Sequence, residues 1–253
     1  MIELIESIIY CEGYHDRSFW DGILKHLGCT SLKTKDGTAA KDPFEEELKG
    51  GHFAYRSKSG RFIRLVPCHG KESVIPFAKT RLKVIATKPV DRLILNVDSD
   101  LSSKLSVEEA TQKRFSTLSD KARNISQSAQ LSKAFDFNFE GGAPLIAFID
   151  WHTDAPSSIL LPDQQTLERL VCNALLTAYP ERSKTLTPWF DSLPQKSREE
   201  VKTYAWSHMA GWHAGDNCDA FYSRLWEDEK VVEELRKRLE TCGAWSVAEA
   251  LSK

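Results

Sequence analysis

The chain has 253 residues, of which 41% are hydrophobic. That is enough for one large α/β domain, or one domain with a helical appendage, and too little for a string of several domains. Lysine and arginine number 34 against 36 aspartates and glutamates, a formal charge of −2, which excludes a global basic field. Any nucleic-acid binding has to come from a local patch. Met1 to Glu6 carry no basic segment leading into an apolar one, and no apolar run approaches the length of a bilayer, so a cytoplasmic protein without membrane partners is expected. The six cysteines, at 11, 29, 68, 172, 218 and 242, form no C-x-x-C pair and no zinc spacing. They read as reduced, mostly buried thiols.

In chain order, Ile5 to Cys11 is a buried-strand pattern. Glu12-Gly13-Tyr14-His15-Asp16 follows, then Phe19, Trp20, Ile23, Leu24 and Leu27 at helical spacing. This spells strand, tight turn and helix, with Gly13 permitting the sharp exit, Asp16 as the N-cap and Glu12 at the carboxyl end of the strand. Lys33 to Gly51 is polar and Gly-containing and reads as a loop. His52 to Ser57 and Arg61 to Val66 flank Lys58-Ser59-Gly60, a hairpin signal, so 33–66 is expected to be an inserted loop and hairpin. Pro67-Cys68-His69-Gly70-Lys71 then opens a helix bearing Val74, Ile75, Phe77, Ala78 and Leu82. Lys71, at that helix start, meets a phosphate or is a solvated lysine; the pattern allows both.

Leu93-Ile94-Leu95-Asn96-Val97 is an apolar strand that runs into Asp98-Ser99-Asp100. Carboxylates one residue apart repel unless a cation neutralises them, and oxygen-only ligands suit Mg²⁺ or Mn²⁺. The alternative is that they cap a helix or begin a loop. Ser106 to Arg123 has acids in its first turn and bases in its last, the distribution a helix dipole favours. Leu131 to Glu140, with Phe135, Phe137 and Phe139 alternating, reads as an edge strand or a partner-binding ribbon. Leu145 to Asp150 is a further strand ending in an acid, before Trp151, His152 and Asp154. A turn-rich stretch leads to a helix from Thr166 to about Ala178, with Glu168 in its first turn as a further candidate carboxylate.

From Tyr179 the pattern becomes helical only, with Pro180, Pro188 and Pro194 near the change. The expected division is an α/β domain over 1–178 and a helical extension over 179–253. Ser197 to Met209 begins with a capping box, Asp228 to Thr241 is a charged helix, and Trp245 to Leu251 a short one. His208, Trp212 and His213 read as core or interface residues, because their spacing matches no zinc signature.

Taken together, Glu12-Gly13, Gly70-Lys71 and Asp98-x-Asp100, each at a strand end and in this order, resemble a Toprim domain. That is the metal-binding α/β module of topoisomerases, primases, recombination-repair proteins and overcoming-lysogenization-defect nucleases. Tyr10-Cys11-Glu12-Gly13-Tyr14-His15-Asp16-x-x-Phe19 is similar to the opening of the stand-alone and nuclease-type members, and Thr166-Leu167-Glu168-Arg169-Leu170 resembles a helix start in a group of small Toprim proteins. This chain departs from that group in having Gln165-Thr166 where a glycine precedes the LE pair, and in a longer stretch between Glu12 and Asp98.

The resemblance implies a Toprim-like Rossmannoid parallel sheet flanked by helices. It implies Mg²⁺ or Mn²⁺ held by Glu12, Asp98, Asp100 and Glu168, with Glu12, Asp98, Asp100 and Lys71 as catalytic residues of a nucleic-acid phosphodiesterase. Lys202 is the nearest counterpart of a lysine that nuclease-type members use beyond the last strand. DNA is the implied substrate, in repair or phage defence. A Toprim module that binds without turnover, beside a protein partner or as a homodimer through the C-terminal helices, is the rival reading. A D-x-D glycosyltransferase gives no reason for Glu12-Gly13, and a haloacid-dehalogenase-type phosphatase lacks its usual continuation after Asp100.

Overall fold

The computed structural model describes residues 6–32, 41–101, 104–119, 125–127, 134–137, 144–154, 164–192, 194, 206, 209 and 217–253. The chain forms two compact units. One comprises Met1–Val97, Thr111–Ile149 and Gly243–Lys253, and the other Asp98–Ala110 and Asp150–Cys242.

The first unit is built on an eight-stranded sheet of order β2-β3-β4-β1-β5-β8-β7-β6. Its strands are β1 (Glu6–Cys11), β2 (Thr30–Ser31), β3 (Phe53–Arg56), β4 (Phe62–Pro67), β5 (Val90–Asp98), β6 (Ile125–Gln127), β7 (Ala134–Phe137) and β8 (Leu145–Trp151). At the centre β1 runs parallel to both β4 and β5, in register Ile9↔Leu65 and Ile9↔Ile94. A parallel strand covered on both faces reads as a continuous apolar run, and β1, β5 and β8 have that composition because every residue from Leu93 to Asp98 and from Leu145 to Trp151 is buried. Antiparallel hairpins extend the sheet on either side, β2–β3–β4 and β8–β7–β6. The expected strand within Leu131 to Glu140 is therefore β7, and β6, which the sequence pattern did not signal, forms the outer edge.

Successive side chains of a strand point to opposite faces. Ile8 and Tyr10 of β1 join Val66, Leu93, Leu95, Val97, Ile146 and Phe148 in one cluster with Val74, Ala78 and Leu82 of α2 (Lys71–Leu82) and Leu118 of α3 (Lys104–Ser119). Each buried Val, Leu, Ile or Phe of the cluster stabilises by roughly 1.5–3 kcal/mol. Helix α1 (Tyr14–His26) buries Phe19, Trp20, Ile23 and Leu24. Asp16 is not its N-cap. Gly13 holds that position, and Asp16, three residues on, accepts the Gly13 N–H at 2.9 Å. A carboxylate in the first turn bonds the orphan amides just as well from inside the helix.

At the amino end of β1 lies a buried ion-pair network. Glu6 has no exposed surface. Its Oε1 accepts from Arg64 Nε, and its Oε2 from Arg81 Nη2 at 2.7 Å. Arg64 also donates to Asp42 Oδ2 at 2.8 Å, and Asp42 Oδ1 accepts the amides of Phe44 and Glu46. Burial pushes the Glu6 carboxyl above its ordinary range, while the two guanidiniums pull the other way.

The second unit contains α4 (Leu167–Ala178), α5 (Pro180–Asp191), α6 (Cys218–Leu225) and α7 (Glu229–Thr241). Leu167 to Leu176 are all buried. Arg238 of α7 is buried against α4, donating to Asn173 Oδ1 at 2.7 Å and Thr177 Oγ1 at 2.9 Å. Asp228 caps α7 through the Lys230 and Val231 amides. Residues 179–253 do not stay together: α8 (Ala244–Ser252) belongs with the sheet, where Ser252 O accepts from Lys58 N and Ala250 O from Arg92 Nη1. Lys202, His208, Trp212 and His213 lie outside the described residues. No described helix is long and apolar enough to cross a membrane.

Candidate functional site

In the first unit the β1–β4 ladder continues past the strand ends. Cys68 N donates to Cys11 O at 2.8 Å and Gly70 N to Glu12 O at 2.9 Å. The two turns are thereby tied by backbone, and Glu12 and the Gly70-Lys71 pair come to one place at the carboxyl edge. His69 and Gly70 both take positive φ, 59° and 133°. The second of these is a conformation that side-chain-bearing residues rarely adopt, so glycine is required there. The turn lets Lys71 begin α2 directly above the strand end. Lys71 lines a small cavity of about 20 Å³ with Val74, Ile75, Leu95, Val97, Arg114 and Phe148, room for about one water. Arg114 is a second cation at that cavity that the sequence pattern did not single out, because a lone arginine within a charged helix gives no signal.

Asn96 is the polar residue inside the apolar run of β5 and is fully buried. Its Oδ1 accepts from Trp20 Nε1 at 2.9 Å and its Nδ2 donates to Ile149 O at 3.1 Å. A buried amide has to find partners, and this one joins α1 and β8 to β5 just before the strand ends. Burial pushes the buried thiols up, Cys68 to about 12 and Cys11 well above its ordinary value, which disfavours the thiolate.

In the second unit Asp98, Asp100 and Glu168 are brought together through backbone. Asp98 is buried, and its Oδ1 accepts the Leu167 amide at the start of α4 at 2.8 Å. A carboxylate suits that position, where helix amides and dipole converge. Asp100, at φ 59°, donates its amide to Gln165 O at 2.9 Å and accepts from Gln164 Nε2 at 3.1 Å. Gln165 in turn donates to Leu101 O at 3.1 Å and accepts the Thr153 amide on its Oε1 at 2.8 Å. Thr166 caps α4, and Glu168, in its first turn, is buried. Asp150 and His152 are buried as well, with His152 Nδ1 3.0 Å from Asp150 O, while Arg169 Nη1 reaches Thr153 O at 3.3 Å. Segments 98–101, 150–153 and 164–169 are thus knitted into one polar knot. Asp150, His152 and Arg169 are members of it that sequence reasoning left unassigned.

Among the described residues, no group of three His, Cys, Asp or Glu side chains is arranged to hold a metal ion. One oxygen of Asp98 faces a helix amide and one of Asp100 faces Gln164.

No family model matches the chain, and no curated protein matches it. Among solved structures it is similar to the crystal structure of a hypothetical protein from Pyrococcus horikoshii OT3, with a TM-score of 0.64 at 14% identity over 98% of this chain and 100% of the other. At that identity the likeness shows the fold alone. The fold is α/β and Rossmann-like, a mixed sheet with a parallel centre flanked by helices.

Proposed function

We propose that the carboxyl edge of the sheet is a nucleic-acid phosphate site and that the protein hydrolyses phosphodiester bonds with a divalent metal, Mg²⁺ or Mn²⁺. One observation carries the reading: the adjacent parallel strands β4 and β1 end in Gly70-Lys71 and Glu12, and the Gly70 amide bonded to Glu12 O holds the two turns together. Chain order reverses at β1, since β4 lies on one side of it and β5 on the other, and open α/β sheets bind ligands at the carboxyl ends beside such a switch. Lys71, at a helix start, offers a cation and backbone amides to a phosphate. Glu12 in the first unit, and Asp98, Asp100 and Glu168 within the second, are each of the oxygen-donor type a hard cation takes.

A second reading has its own support. Asp98 and Asp100 each give an oxygen to a local donor, as in a module that binds its ligand without turnover, beside a partner protein or a second copy.

A cleavage assay decides between them. Purified protein is incubated with supercoiled plasmid, linear duplex and single-stranded DNA, with Mg²⁺ and then Mn²⁺, alongside Glu12→Ala and Asp98→Ala. Metal-dependent cleavage that both variants abolish is the expected result. Absence of cleavage by the wild type overturns hydrolysis and favours the binding module.

A further inference from the structure

Beside the Glu12 and Lys71 turns, Tyr14 and His69 form an exposed aromatic pair. Tyr14 is 47% exposed, one of four large apolar or aromatic side chains so placed among the described residues. Its ring centroid lies 5.3 Å from that of His69 at an interplanar angle of 72°. The tyrosine ring is held in place. The buried Arg17, one turn on in α1, sets its guanidinium 4.9 Å from the Tyr14 centroid and 4.0 Å from that of Phe53, and donates to Gly51 O at 2.9 Å. A Cβ at Gly51 would stand 3.2 Å from the Tyr14 ring, so glycine there leaves the ring room to lie against the backbone. His69 keeps its imidazole beside Tyr14 at a positive φ, a strain of roughly 1–3 kcal/mol of the kind that clusters at functional sites.

Cations lie alongside: Lys71 is two residues on, and Lys49 and His69 act on His52, which burial above all pushes down to about 4. The chain as a whole carries −2, so phosphate attraction alone is weak and affinity has to come from somewhere local.

We infer that Tyr14 and His69 form a stacking platform for an unpaired base, so that the preferred substrate is single-stranded nucleic acid. This rests on the reading of the carboxyl edge as a nucleic-acid site and adds strandedness to it. A duplex hides its base faces within its own stack, whereas a single strand offers each base to an aromatic ring, with cations alongside for the backbone. Stacking tolerates every base, so the platform selects for strandedness and not for sequence.

The test is a binding measurement in EDTA, where no cleavage is counted. Fluorescence anisotropy follows a labelled oligodeoxythymidine of about a dozen nucleotides, its duplex, and an oligomer of abasic sites with the same phosphates. The full chain is compared with Tyr14→Ala, Tyr14→Phe and His69→Gly, the last being compatible with the positive φ. The wild type is expected to favour the single strand over both the duplex and the abasic oligomer. Tyr14→Ala weakens binding by roughly tenfold, Tyr14→Phe leaves it near the wild type, and His69→Gly falls between. Equal binding of the abasic oligomer by the wild type overturns the inference, as does unchanged binding by a folded Tyr14→Ala. Plasmid cleavage that survives either of those outcomes leaves hydrolysis standing without the platform. Tyr14-dependent binding without any cleavage leaves the platform standing without hydrolysis.

Discussion

The two ends of strands β1 and β4 handle charge in opposite ways. At the amino end Glu6 has no exposed surface and is matched by Arg64 and Arg81, with Asp42 completing the network. At the carboxyl end Glu12 is half-buried and Tyr14 and His69 are exposed, while the chain there is held by backbone bonds from Gly70 to Glu12 and from Cys68 to Cys11. The difference teaches where side chains are committed to the fold. Buried charges have to be paired, so every member of the Glu6 network is fixed by structure. Where the main chain secures the turns, the exposed Tyr14 and His69 are not what holds them in place.

Removing one member of the closed end should have the largest effect. Glu6→Ala leaves two guanidiniums without their shared acid, and a loss of about 3–5 kcal/mol is expected, read from the urea midpoint at constant slope. A loss below about 1 kcal/mol, the value of an ordinary surface pair, would break the comparison. His52 gives an intermediate effect that depends on pH. It is half-buried, and its Nδ1 is buried without a hydrogen-bond partner among the described residues. Burial and nearby cations hold its folded pKa at about 4, below the ordinary 6.5. The folded state therefore binds the proton less readily than the unfolded one, and stability is full above 6.5 and is lost as pH falls through the window from 6.5 to 4. Thermal melts across that window should fall by about 1–2 kcal/mol more in the wild type than in His52→Gln, allowing for partial exposure. The smallest change belongs to the open end. Glu12→Ala should alter stability by less than about 1 kcal/mol. In the second unit, Asp98→Asn keeps an oxygen that accepts the Leu167 N–H and should cost a similarly small amount. Circular dichroism on either variant showing an unfolded chain would make that acid part of the fold and not of a site.

Much of this was legible in the sequence. The apolar runs of β1, β5 and β8, the Gly13 and Gly70 turns, the hairpin around Lys58-Ser59-Gly60 and the helix from Leu167 all follow from local periodicity and turn chemistry. What local spacing does not carry is the choice of distant partner. Asp98 was legible as an acid at a strand end, but its bond to Leu167, far along the chain, was not. Asn96 did give a signal, a lone amide in an apolar run, without saying that Trp20 and Ile149 would satisfy it. Asp16 was displaced from its expected cap because Gly13 already supplies the extended residue the helix start needs. The destination of α8 was hidden for the same reason as that of Asp98: a short apolar helix looks alike whichever surface receives it.

That helix has a consequence for how the protein is made. Lys58 and Arg92 wait for the carbonyls of Ser252 and Ala250, and the ring of His26 on α1 lies 6.3 Å from that of Trp245. On the ribosome the strands of the sheet emerge first and the second unit follows, and only then does the segment arrive that covers this part of α1. Until it does, the part of α1 beside His26 lacks its cover, and a contact between residues so far apart in the chain is of the kind that forms slowly.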